Sequence, residues 1–225
     1  MWAALAFHPM IDPAKSLIDF TFTSVAVMFC FIIYHRTKGL YELTKYQGIR
    51  YFREAFLFFG LSYIVRFLFS LMLVSRHEFD LMLPRGLFVP LFIIPLGYFS
   101  TVAIFYLFLS LMWKHVDVNL AIRWGHAVAV ALPVLAFVTR SHHLLLGFQT
   151  LLLILALFLV FRLTKSGQKF TRVRMLYLLM VGLWLLSLWA VDPKPRSSIV
   201  VKAVLQVVSL MVFIGIYKKI SKWTS

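Results

Sequence analysis

Residues 144–163 read LLLGFQTLLLILALFLVFRL, with Arg162 as their only charged side chain. At ~1.5 Å of rise per residue, a helix of this length spans ~30 Å, the thickness of a bilayer's hydrocarbon core. The stretch has no period-two alternation, which argues against a barrel strand. In lipid its amides must therefore be satisfied within the segment, by helical hydrogen bonds. It is predicted to be a transmembrane helix.

Six further runs read the same way, at 16–35, 55–74, 88–113, 120–139, 175–191 and 199–217. Of the 225 residues, 62% are hydrophobic and 14% charged, against roughly 25% charged in soluble domains. Mean hydropathy is +0.90, which excludes an ordinary soluble enzyme. The expected fold is all-α: a polytopic integral membrane protein with seven transmembrane helices in one domain over 1–225, multi-pass in the cell membrane, with no soluble domain. The fourth run carries Arg123 and His126 near its start. Without it six spans would remain and the carboxyl end would change sides.

Lys and Arg outnumber Asp and Glu by 23 to 8, a formal charge of +15. About 15 of these cations follow odd-numbered runs or close the chain and about six lie on the other side, which predicts the amino end outside and the carboxyl end inside. Tyr34, Trp113, Trp124, Tyr177 and Tyr217 would mark the inner boundary and Trp189 the outer one. Basic residues so placed meet anionic lipids at the inner face, and nucleic acid is not expected as a partner. The amino-terminal residues lack a basic segment ahead of their apolar ones, so no removable signal is expected. Cys30 lies inside the first run and reads as a small buried residue.

Punctuation and small residues add local detail. Asp12-Pro13 is a helix start, and Asp192-Pro193-Lys194-Pro195 a hairpin between the last two spans. Gly125, Ala129 and Pro133 recur every four residues, with Ala127 and Ala131 alternating, so the fourth span should approach a neighbour closely. Pro95 and Pro133 are expected to bend their helices. Arg36-Thr37-Lys38 matches Leu163-Thr164-Lys165, and Gly60 matches Gly182. Such matches would suit a three-plus-one-plus-three internal repeat.

Ionisable groups within a span cost about 2.5–3.5 kcal/mol at its centre, which makes them the first candidates for function. Asp19, Arg66 and Lys202 are predicted in the outer half, where Gln149 and Gln206 add amides and Tyr63 and Trp184 aromatic walls. One cation more than Asp19 can neutralise would favour a small anionic or amphiphilic ligand, Arg offering a planar donor fork and Lys a point charge. The alternative is an Asp19–Arg66 pair that joins the first two helices, with Lys202 reaching up to headgroups. Zinc-peptidase, nucleophile-elbow and phosphate-loop patterns are absent, so no enzymatic activity is expected. His142-His143, His77-Glu78, His8 and Asp80 would share the outer side, but adjacent His point apart and no metal or other cofactor is expected. His35 and His115 read as inner-surface residues, and His126 as a packed or hydrogen-bonded one.

Seven spans with Lys202 in the last resemble an opsin in topology. Ser198 replaces the acidic residue that many microbial opsins carry four positions before the Lys, and the third span has no carboxylate. Tyr34-His35-Arg36-Thr37-Lys38, Leu43-Thr44-Lys45, Arg50-Tyr51-Phe52 and Phe56-Leu57-Phe58-Phe59-Gly60 resemble the first hairpin of seven-helix sensor modules associated with histidine kinases. That resemblance implies a receptor or sensor without its own output domain, signalling through a separate cytoplasmic or membrane partner by way of basic inner loops. A small-solute transporter and a membrane assembly subunit are the alternatives.

Overall fold

The computed structural model describes residues 13–79, 85–139, 141–163, 171–190 and 199–224, with side chains over slightly shorter stretches. Among these residues the chain forms seven helices: α1 (Pro13–Thr44), α2 (Gln47–Phe79), α3 (Arg85–Met112), α4 (Val118–Val138), α5 (His142–Leu163), α6 (Thr171–Ala190) and α7 (Ile199–Thr224). Six of them are long and apolar enough to cross a membrane: Ile18–Thr44, Gln47–Met72, Pro90–Met112, Val118–Val138, His143–Arg162 and Ala203–Lys222. In α6 the apolar stretch with described side chains is shorter, Met175–Ser187. The fourth run, doubtful by sequence because of Arg123 and His126, is among the six.

The largest departure from expectation is the segment 36–54. By sequence this stretch is a basic loop between the first two runs, yet α1 runs on to Thr44 and α2 begins at Gln47. An apolar stripe persists beneath the charges. Thr37, Tyr51 and Phe52 are buried, while Arg36, Lys38, Glu42 and Arg50 are exposed, with Lys38 and Glu42 paired at 3.8 Å one turn apart. Helical amphipathicity therefore carries both helices past the greasy runs. Lys45 closes α1 in the left-handed region, at φ 52°, and its amide donates to Tyr41 O over 2.7 Å. A left-handed residue after the last turn satisfies a terminal carbonyl.

Pro13 opens α1 as predicted, whereas Asp12 and the 192–195 hairpin lie outside the described residues. Asp117 caps α4, accepting from the amides of Asn119 and Leu120. Both α3 and α4 continue through their prolines, Pro90 and Pro95 in one and Pro133 in the other.

Packing closes a ring in the order α1, α2, α3, α5, α6, α7, with α7 returning to α1 and α4 lying against α3 and α5. The small-residue face of α4 turns inward as expected: Gly125, Ala129, Pro133 and Ala136 are buried, and Ala127 and Ala131 are exposed. Its close neighbour is α3. A Cβ on Gly125 would lie 2.3 Å from the Phe105 ring, and one on Gly97 would lie 2.7 Å from Pro133 Cβ. Gly60 and Gly182, alike in the repeat comparison, sit in different surroundings. The first faces Cys30 Cβ at 3.1 Å and the second meets nothing within 4 Å.

The ring is filled by aromatic side chains. Phe59 of α2 lies 4.0 Å from Trp184 of α6 and 6.2 Å from Phe213 of α7, centroid to centroid, with Tyr63 edge-on at 4.9 Å. Phe22 of α1 meets Tyr63 at 5.8 Å. Trp184, Phe213 and Phe56 are almost wholly buried. Offset and edge-to-face pairs of this kind contribute ~0.5–1.5 kcal/mol each beyond area burial.

Candidate functional site: a polar layer on an aromatic floor

Three helices around the filled axis, α1, α2 and α7, each carry an inward stripe that ends in a polar group. On α1 the buried residues Ile33, Cys30, Ala26, Thr23 and Phe22 lead, one turn on, to Asp19. On α2, Phe52, Phe56, Phe59 and Tyr63 lead to Arg66, and on α7, Ile220, Ile216, Phe213 and Ser209 lead to Gln206. Residues three or four apart share a helix face, so all three polar groups continue an inward stripe. The rings of Phe20 and Phe67 meet at 4.6 Å, which sets Asp19 and Arg66 at one height on adjacent helices.

Gln206, 3% exposed, donates from Nε2 to Asp19 Oδ1 over 2.7 Å, tying α7 to α1. A hydrogen bond to a charged acceptor is worth ~1.5–3 kcal/mol, more than a neutral one. Arg66 is half-buried, and among the described residues it has no hydrogen bond and no ion pair within 4.0 Å. The Asp19–Arg66 ion pair of the alternative reading is not made within 4.0 Å; the amide of Gln206 donates to the carboxylate. Lys202 stands one turn before Gln206 in α7, and its side chain lies outside the described residues.

Tyr63 and Trp184 form the floor of this layer rather than its walls. Ser187 Oγ donates to Leu183 O at 2.8 Å, so Tyr63 donates its hydroxyl proton to Ser187 Oγ, also at 2.8 Å. Gln149, expected in the same layer, is held elsewhere. It is 2% exposed, and its Nε2 donates to Ser100 Oγ at 2.7 Å and Thr101 Oγ1 at 3.1 Å, joining α5 to α3. The single-chain pattern missed Ser187 and a second bond of the same type, Tyr177 to Ser110 Oγ at 2.9 Å. The signal that would have found Ser187 is its place three residues after Trp184, on the inward stripe of α6. His126 is hydrogen-bonded as expected, to Tyr98 and Tyr106.

The arrangement holds a carboxylate that accepts from a neutral amide, and a guanidinium with no ion pair among the described residues, above a buried aromatic floor. Low local dielectric strengthens any charge contact made there. A planar guanidinium in such surroundings is suited to a carboxylate or phosphate.

No family model matches the chain, and no solved structure matches it. It is similar to an uncharacterised protein of Archaeoglobus fulgidus, 28% identical over 190 residues, a stretch that covers 80% of this chain and 84% of that protein.

Proposed function

We propose that this chain is a receptor- or sensor-type protein of the cell membrane. Its seven helices all span the bilayer, with the amino end outside, and a small anionic or amphiphilic ligand enters the layer of Asp19, Arg66 and Gln206 from the outer side. The observation that carries this reading is Arg66 itself: a cation kept on the inward face of α2, free of an ion pair among the described residues, beside a carboxylate already held by Gln206. A charge in a membrane bundle is costly unless an anion faces it, and a ligand that supplies one returns that cost as affinity.

The filled axis favours sensing over transport. Phe59, Trp184, Phe213 and the Tyr63–Ser187 bond close the bundle directly beneath the polar layer, so passage would require this cluster to separate. Ligand binding instead alters the packing of α1, α2 and α7 around the layer, and a separate partner at the basic inner end reads the change.

A thermal-shift screen of the purified protein against anionic metabolites and lipids tests the reading. At least one anion is expected to raise the unfolding temperature of the wild type and not that of Arg66→Ala, with no flux of the labelled anion into proteoliposomes. Flux at a rate set by Arg66 would select transport. Tags on the two tails, probed in intact vesicles, must fall in opposite compartments; finding both on one side would remove the outer site.

A further inference from the structure

Distant from the outer layer, three hydrogen-bonding side chains meet between α3 and α4. His126 lies two turns into α4, and both its ring nitrogens are engaged: Nδ1 with the Tyr98 hydroxyl at 2.9 Å and Nε2 with the Tyr106 hydroxyl at 3.3 Å. Along α3, Ser110 reaches toward α6, and Ser100 and Thr101 meet Gln149 of α5. Tyr98 and Tyr106 emerge on a different flank, where α2 lies on one side and α4 on the other. Phe58 of α2 borders the group. Its ring lies parallel to that of Tyr106 at 5.3 Å and 11°, and it approaches Phe99 at 6.2 Å and the His126 ring at 6.1 Å. Tyr98, Phe58, Phe99 and His126 are each half-buried, so the group keeps surface on the outside of the bundle, within the apolar length of α4.

The donor count at this group does not close. A neutral imidazole has one N–H and one acceptor nitrogen, and each tyrosine has one O–H. Three donors thus serve two bonds. One tyrosine donates to the acceptor nitrogen; the other accepts from the ring N–H and keeps its own proton, for which no acceptor is bonded among the described residues. Either tautomer leaves this surplus, and a protonated ring enlarges it. A hydroxyl without a partner costs ~1–3 kcal/mol where water is scarce.

We propose that the Tyr98–His126–Tyr106 group is a lateral ligand site, opening to the bilayer, that donates its spare proton to a carbonyl oxygen on a lipid-soluble molecule. The donors are neutral, which suits a carbonyl better than a phosphate. The ring faces of Phe58 and Phe99 beside them suit a flat conjugated carbonyl, as in a quinone. An ester lipid presents the same acceptor without the ring. The site is independent of the outer layer and stands whether or not an anion binds there.

The test uses the full chain in nanodiscs with graded mole fractions of an alkylated naphthoquinone or, separately, of diacylglycerol. A saturable rise in unfolding temperature with the quinone, together with a downshifted quinone carbonyl stretch in the infrared, is the expected result. Saturation with diacylglycerol alone would assign the ester source. Tyr98→Phe should weaken binding about five- to tenfold, the size of one hydrogen bond. The triple variant Tyr98→Phe, Tyr106→Phe, His126→Phe removes every donor together and leaves none orphaned, so it should fold and show neither response. No saturable effect of either probe on the wild type, or an undiminished one in the triple variant, would overturn the proposal.

Discussion

Replacing Gly125 by Ala measures how tightly α4 is seated on α3. The new Cβ would stand 2.3, 2.5 and 2.6 Å from Phe105 Cε1, Cδ1 and Cζ. To regain ordinary contact the ring edge must withdraw by about 1 Å, or the helices must part. Overpacking of this kind costs ~1–3 kcal/mol, while Ala gains up to ~1 kcal/mol over Gly in a helix, so a net loss near 1 kcal/mol is expected. Gly182→Ala in α6 and Gly147→Ala in α5 are the controls, because a Cβ there meets nothing within 4 Å. They should gain what Gly125→Ala loses. Thermal unfolding of all three in one detergent should order them clearly, since ~1 kcal/mol moves the midpoint of a chain this size by ~2–4 °C. Adding Phe105→Leu to Gly125→Ala should recover most of the loss. If Gly125→Ala proves as stable as Gly182→Ala, the close seating of α4 is wrong.

Two further perturbations follow from particular contacts. Lys45→Gly should raise the unfolding temperature, because an L-residue held at φ 52° carries a steric cost of ~1–2 kcal/mol that glycine lacks, less glycine's greater entropy loss; Lys45→Val at the same position should lower it. Ser187→Ala should cost more than Tyr63→Phe, ~1–3 against ~0.5–1.5 kcal/mol. The first strands the buried Tyr63 hydroxyl, whereas the second leaves Ser187 still donating to Leu183 O; a double-mutant cycle checks the pair.

The polar groups are legible in the chain, whereas their partners are not. Asp19, Arg66 and Gln206 stand out by sequence because ionisable and amide side chains are expensive in a span, while burial of Phe22, Tyr63 and Ser209 one turn away sets them on inward faces. Gln149 looked equivalent by the same depth argument, yet it is engaged by Ser100 and Thr101 on α3. Depth along a helix is a local quantity, whereas the helix that a side chain meets depends on the order in which seven helices close into a ring. His126 shows the same divide: its hydrogen bonding was foreseeable, but the pairing with two tyrosines, and the proton left over, were not.

From the sequence alone came the solvent and the secondary structure: long apolar runs without alternation, whose amides lipid forces into helices, and small residues every four positions that mark α4 for close contact. The facing ends of α1 and α2 escaped it, because hydropathy reports where lipid stops and not where hydrogen bonding stops; the stripe of Thr37, Tyr51 and Phe52 extends both helices beyond that point. Tertiary structure alone decided that α4 lies outside the ring, that aromatic rings fill the axis, and that Asp19 meets Gln206 rather than Arg66. These are contacts between residues far apart in the chain, fixed by which side chains fit together once every helix has formed, and no periodicity within a single helix encodes them.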